Sequence, residues 1–233
     1  MLSNRTIAVI IPVLNEEQTL PFVLNDIPKD LVDEVVVIDN GSTDKTPEIA
    51  RESGATLLFE SRKGYGYPCL KGMEYLKTKK PDIVVFVDGN HSDHPDEIFK
   101  LVGPMVKGDY DLVCGSRVMG EIEEGALRVP VRFGNFLATI LIRLFYGFKY
   151  TDVGPFRAIK FDKLLKLDMN DNLGWTVEMQ AKAIKAGFKI LEVPVSYRGG
   201  TGKSKFTGNI KGIAIIGYRI IRAILKNLFY SPK

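Results

Sequence analysis

Cysteine is almost absent: two residues in 233, Cys69 and Cys114, in unrelated segments and without metal-site spacing. That argues against a disulfide scaffold or a thiolate zinc site and reads as two reduced thiols in a cytosolic protein. Histidine is as scarce, His91 and His94 alone, and a structural zinc site wants further nitrogen or sulfur ligands close by. No apolar run approaches the ~20 residues that cross a bilayer. Nor do the first residues form the apolar core of a signal peptide, since Arg5 and Thr6 precede a run of only five, Ile7 to Ile11. The expectation is a chain that is soluble or peripheral to a membrane. No repeat or low-complexity tract interrupts it, and the net charge of +4 is modest, with Lys and Arg densest in the last third. Such a balance suits a phosphate or a membrane surface better than a nucleic acid duplex.

What is present is a core. A 233-residue chain with 45% hydrophobic residues can bury one large core, read here as one domain. Short apolar runs rich in β-branched residues, Ile7 to Ile11, Glu34 to Ile38, Thr56 to Phe59, Ile83 to Val87 and Asp111 to Cys114, alternate with amphipathic segments at 16–27, 46–53, 67–76 and 95–106. This alternation predicts an α/β fold with a mostly parallel sheet flanked by helices. The second half departs from it, with helices predicted at 135–146 and 175–186, a strand at 189–197 and a last amphipathic helix at 208–229.

Ligands of open α/β sheets bind outside the carboxyl ends of the strands, so the polar residues there are the candidates. After the first strand comes IPVLNEEQTL, where Pro12 should stop the ladder, Asn15 can cap a helix, and Glu16 and Glu17 suit its positive end. The second strand ends in Asp39, placed either to cap a turn with Asn40, Ser42 and Asp44 or to bind ribose hydroxyls. The glycine-rich loop of a dinucleotide site is missing after the first strand. The fourth ends in DGNHSDHPDE, where Asp88, Asn90 and Asp93 are hard oxygen ligands for Mg²⁺ or Mn²⁺, with the remaining ligands coming from substrate phosphates. A rival phosphate loop, RGGTGKSKF at 198–206, fails the P-loop pattern because position 197 is Tyr rather than Gly, and only 29 residues follow Ser204. Its Arg198 and Lys205 still suit a diphosphate.

Together these segments resemble the family 2 glycosyltransferases of GT-A fold, and within them the dolichol or polyprenyl phosphate sugar synthases. The likeness runs through IPVLNEE, VVIDNGSTDKT, DGN at 88–90 in place of the usual DxD, GSR at 115–117, DVGPFRAIK at 152–160, WTVEMQAKA at 175–183, and EVPVSYR followed by GKSKF. It implies a donor site for a nucleotide sugar at Pro12, Asn15, Glu16, Asp39, Asn40, Ser42, Asp44, Gly64, Asp88 and Gly89, a metal at Asp88, Asn90 and Asp93, and phosphate or acceptor contacts from Arg117, Arg132, Arg198, Ser204 and Lys205. A neutral Asn90 in the DxD position lowers the expected metal affinity before substrate binds. The domain is expected to occupy 1–207, with 208–233 as an amphipathic helix on the core, a membrane or a partner.

The chemistry the resemblance implies is a single inverting displacement, with a divalent cation and basic side chains aimed at the leaving diphosphate, Asp88 at the catalytic centre. A polyprenyl phosphate acceptor is already an anion and needs no base; a hydroxyl acceptor does. Glu178 is the first candidate base and Asp152 the second, each equally readable as a capping or salt-bridging acid. The apolar stretch 136–146 with Arg128, Arg132 and Lys149, and the last helix, with Ile210, Ile213, Gly217, Ile221, Ile224 and Leu228 on one face, suit a membrane interface. The expected setting is therefore the cytoplasmic face of a membrane, with a small membrane protein as a further partner. Competing readings are a sibling transferase with a soluble hydroxyl acceptor, a nucleotidyltransferase, which wants a basic glycine loop where this chain has LNEEQTL, and a non-catalytic nucleotide-binding protein.

Overall fold

The computed structural model describes residues 5–170, 174–199 and 210–232, with the backbone alone for 210–216. Ser204 and Lys205 therefore lie outside the described residues. Seven strands, β1 (Ile7–Val13), β2 (Glu34–Asp39), β3 (Thr56–Phe59), β4 (Ile83–Phe86), β5 (Leu112–Ser116), β6 (Arg157–Lys160) and β7 (Ile190–Pro194), form one sheet in the order β3-β2-β1-β4-β6-β5-β7. All neighbours pair in parallel except at β6, which runs antiparallel to both β4 and β5.

Strand alternation sorts the core into two layers. Ile7, Val9, Ile11 and Val13 of β1 face one side, under α1 (Leu20–Asp26), α2 (Thr46–Glu52) and α4 (Ile98–Gly108); Ala8 and Ile10 face the other, under α3 (Gly66–Lys79), α5 (Val129–Tyr146), α6 (Phe161–Lys166), α7 (Trp175–Lys185) and α8 (Ile210–Asn227). In α3 the buried Cys69, Met73 and Leu76 recur at helical spacing. Burial pushes the Cys69 thiol well above its usual range and that of Cys114 to about 12.

Four differences from the sequence reading have physical reasons. β1 continues through Pro12 to Val13 rather than stopping. Its pairing with β4 ends at Ile10, so the amide hydrogen that proline lacks has no ladder partner to serve there. The first helix starts at Leu20 rather than at 16, because Asn15, Glu16 and Glu17 are taken up in bonds to the following loop. β6 was missed: Arg-Ala-Ile-Lys is short and charged at both ends, yet Arg157 is buried at 1% exposure. Finally, α8 buries Ala223 and Ile224 in the same core as α5 and α7 while Ile221 faces out, so Ile221 and Ile224 do not share the single face expected of them.

Glu178 stands on the buried side of α7, its side chain 0% exposed and 2.7 Å from the 3%-exposed Lys182 amine. Lys182 also donates to the Asp168 carbonyl and lies 4.8 Å from the Tyr230 ring. Removing one charge of a buried pair leaves the other uncompensated. Glu178→Leu should therefore lower stability by about 3 kcal/mol, read as a shifted denaturant midpoint, and adding Lys182→Met should recover most of the loss. A double variant no more stable than the single would show that the pair is not what Glu178 serves.

Candidate active site

The parallel strands bring the loops after β1, β2, β4 and β5 to one edge, and the reversed β6 brings the loop before it there too. The first two loops interlock. Asn15, at a positive φ of 53°, donates its backbone N–H to Ser42 Oγ (2.8 Å) and accepts from Thr43 N–H (2.7 Å). Glu17 N–H donates to Asp44, and Lys45 N–H to Glu17. Burial alone would raise the Asp44 carboxyl, but the Thr46 hydroxyl and the backbone N–H groups of Thr46 and Glu17 outweigh it and hold it below the usual range.

Asp39 lies at the tip of β2 and accepts from the backbone N–H groups of Gly41 and Ser42 (3.3 and 3.0 Å). Asn40, expected in the donor site, has its side chain bonded within the protein. Its amide donates to the carbonyls of Glu60 (2.8 Å) and Arg62 (2.7 Å) and accepts from Gly64 N–H (3.1 Å), so it braces the 60–64 loop. Gly64 takes a φ of 137°, open to glycine. Gly89 is required for a different reason: a Cβ there would come within 2.6 Å of Val13 Cγ1, so the β4 loop lies directly on the β1 tip.

Asp88 and Asp93 form the acidic centre. Asp88 Oδ1 accepts from the buried Tyr65 hydroxyl (2.7 Å), and Asp88 N–H donates to Asp93 Oδ2 (3.2 Å). Burial raises both carboxyls; in Asp93 the neighbouring Asp88 charge adds to it, and the value reaches about 7. A buried and a half-buried carboxylate that repel each other fit a hard divalent cation, whose other ligands would come from phosphate and water. The side-chain oxygen of Asn90, the third expected ligand, accepts from Ser92 N–H (3.0 Å) and Ser92 Oγ (2.6 Å). The two histidines go to separate partners, His91 Nε2 to Asp26 (2.8 Å) and His94 Nδ1 towards Asp96 (3.6 Å), and do not converge on a metal.

At the β5 tip Arg117, 7% exposed, meets Asp152, 1% exposed. Its backbone N–H, Nε and Nη2 all donate to the carboxylate at 2.7 to 2.8 Å. Burial works against the guanidinium charge, but Asp152 outweighs it and raises the Arg117 pKa. The Tyr197 ring stacks 5.0 Å from the same guanidinium. As a base Asp152 is thus poorly placed, with both oxygens occupied; Glu178 is shut in the core with Lys182. Arg198 Nη2 donates to Asp26 Oδ2 (3.1 Å) and the Asp93 carbonyl (3.3 Å), bordering the acidic centre. Arg132 is exposed in the first turns of α5.

Three residues escaped the sequence reading. Tyr65 orients Asp88, Tyr197 covers Arg117, and Arg157 donates to the carbonyls of Gly154, Pro155 and Thr176, fixing the loop that carries Asp152. A lone Tyr at a helix start gives no signal of its own; Arg157 stood inside the DVGPFRAIK segment and could have been weighed there.

Comparison with known proteins agrees with this arrangement. Glycosyl transferase family 2 matches residues 8–167. An uncharacterised glycosyltransferase of Mycobacterium tuberculosis is 34% identical over 225 residues, 93% of this chain and 98% of that protein. The dolichyl-phosphate hexose transferase of Haloferax volcanii is 32% identical over 225 residues, 94% of each chain. Glucosyl-3-phosphoglycerate synthase of M. tuberculosis, solved with Mn²⁺, UDP and phosphoglyceric acid, superposes with a TM-score of 0.79 at 24% identity, over 99% of this chain and 81% of that one; the same enzyme has been solved with Mg²⁺ and UDP. With the GT-A arrangement of sheet and loops in place and the family match covering most of that sheet, the chain is a glycosyltransferase and belongs to glycosyl transferase family 2.

Proposed function

We propose that the protein is an inverting hexosyltransferase that moves a sugar from a nucleoside diphosphate donor to a polyprenyl-type phosphate at the cytoplasmic face of a membrane. The observation that carries the choice of acceptor is that both candidate bases are consumed, Asp152 by Arg117 and Glu178 by Lys182. An acceptor phosphate is ionised already and asks for no base. The kinship with a dolichyl-phosphate hexose transferase supports the same reading.

Asp88 and Asp93 would hold Mg²⁺ or Mn²⁺, which supplies positive charge to the departing diphosphate. The chain's own residues do the positioning. Base and ribose would lie beside Asp39, with Pro12, Asn15, Glu16, Ser42 and Asp44 of the two interlocked loops as their contacts. Tyr65 holds Asp88 in one rotamer. Arg117, kept charged and fixed by Asp152, would meet the sugar diphosphate, and Arg132 and Arg198 the acceptor.

The test is incubation with UDP-glucose or GDP-mannose, Mn²⁺ and either dolichyl phosphate or 3-phosphoglycerate. A lipid-linked hexose is the expected product; sugar transferred to 3-phosphoglycerate alone would overturn the lipid acceptor. Asp152→Asn should cut kcat about 100-fold with donor affinity little changed, since a misplaced group costs that order of rate; a wild-type kcat would remove the pair from the mechanism.

Cation binding carries a pH signature. The Asp93 carboxyl is raised from an unfolded value of about 4 to about 7. Its contribution to stability is therefore full below about pH 4 and is lost as pH rises through about 7, where the ionised carboxylate must be accommodated. A bound cation reverses that loss. The rise in melting temperature on adding Mn²⁺ should be larger near pH 8 than near pH 6, and Asp93→Asn should flatten the difference; equal shifts in the wild type would contradict the assignment.

A further inference from the structure

One face of the molecule has no role in the reaction described so far. Along α5, Val129, Phe133, Phe136, Ile140 and Leu144 are 78, 65, 61, 44 and 72% exposed. Their spacing of 4, 3, 4 and 4 residues places them in a single stripe of the helix. The opposite side of the same helix is core: Asn135, Ala138 and Ile142 are buried. On α8, which packs on α5 through a bond from Tyr146 to the Ile224 carbonyl (2.5 Å), Tyr218, Ile221 and Leu225 are exposed at the same kind of spacing, and Phe229 beyond its end is 90% exposed. Soluble surfaces rarely align so many large apolar side chains.

Charge selects what covers this face. Between Gly125 and Thr151 the chain has four basic residues, Arg128, Arg132, Arg143 and Lys149, and no Asp or Glu; after Glu192 it has no Asp or Glu at all. Arg132 and Arg143 are exposed, adjoining Phe133 and Leu144 in sequence. A stripe of aromatic and aliphatic residues on a helix whose charged residues are all cations complements an anionic lipid surface, into which the apolar side chains sink while the guanidinium groups meet headgroups. An 18-residue helix that keeps one face in the protein core lies along such a surface and does not cross it.

We propose that the α5 stripe, extended by α8, is a docking face for an anionic membrane. This deepens the lipid-acceptor reading and rests on it for its purpose, though not for its geometry. Asn135, on the inner side of the same helix, bonds the Thr151 carbonyl (3.1 Å) and Val153 N–H (2.9 Å), on either side of Asp152. The helix that would lie on the membrane is thus the one that braces the Asp152 loop, and a headgroup phosphate would be presented close to the site.

The experiment is co-sedimentation of the full chain with vesicles of phosphatidylcholine alone or mixed with phosphatidylglycerol. The wild type should sediment with the anionic vesicles and release in high salt. Phe136→Asp with Leu144→Asp should weaken that partition by about tenfold or more, and Arg143→Glu should weaken it on anionic vesicles only, while melting temperature and UDP binding stay at wild-type values. Wild-type protein that ignores anionic vesicles, or stripe variants that still sediment, would overturn the proposal. So would a concentration-dependent dimer that the same substitutions dissolve, since a second copy would then cover the face. Nucleotide binding separates the two readings: a wild type that binds neither UDP nor GDP counts against the proposed donor site, whereas vesicle binding is judged without it.

Discussion

The ion pair between Arg117 and Asp152 is the tie on which the site depends. It joins the tip of β5 to the loop ahead of β6 through three short hydrogen bonds. Everything around it braces that loop: Asn135 from α5, Gln180 from α7, Glu192 from β7, and Arg157 through the carbonyls on its far side. Charged partners buried this deeply are favourable only when every remaining donor and acceptor is served, and here four elements contribute to serving them. The result is a fixed cation close to two carboxylates that repel each other.

That repulsion is the second constraint. Asp88 and Asp93 belong to one short loop pressed against the β1 tip, where Gly89 leaves no room for a side chain. The Thr19 hydroxyl on the Gly89 carbonyl (2.9 Å) and the Arg198 backbone N–H on the Ser92 carbonyl (3.0 Å) hold the loop at either end. Inside the loop, the Tyr65 hydroxyl on Asp88 and the Asp88 N–H on Asp93 fix where the two carboxylates stand.

Periodicity and composition carried the sheet and most helices, because β-branched runs and 3.6-residue stripes are local signals. β6 was illegible since its register is imposed by β4 and β5 on both sides, with no alternation of its own. The order of motifs pointed to the carboxyl edge of the sheet, and the structure places Asp39, Asp88, Asp93, Arg117 and Asp152 at that edge. What could not be read was which polar atoms spend themselves on one another. Asn40 and Asn90 look like ligand-binding amides in a string of letters, and in the structure their side chains bond the 60–64 loop and Ser92; Glu178 looks like an acid in a helix's first turn, and its partner Lys182 lies one turn on. The Asn40 bonds are decided by three-dimensional neighbours, whereas the i, i+4 spacing of Glu178 and Lys182 was a local signal open to being weighed.

Both thiols of the chain lie under the sheet with raised pKa, Cys69 beneath the Asp88 end of β4 and Cys114 within β5. A thiolate is the reactive species, so in the closed protein neither sulfur meets a reagent in usable form. Alkylation must then wait for the element that covers each one to open, which makes the two sulfurs clocks for different parts of the fold: Cys69 times the departure of α3 from β1 and β2, and Cys114 the separation of β5 from α7. Nature placed no cysteine elsewhere in the chain, so each rate would be read without interference.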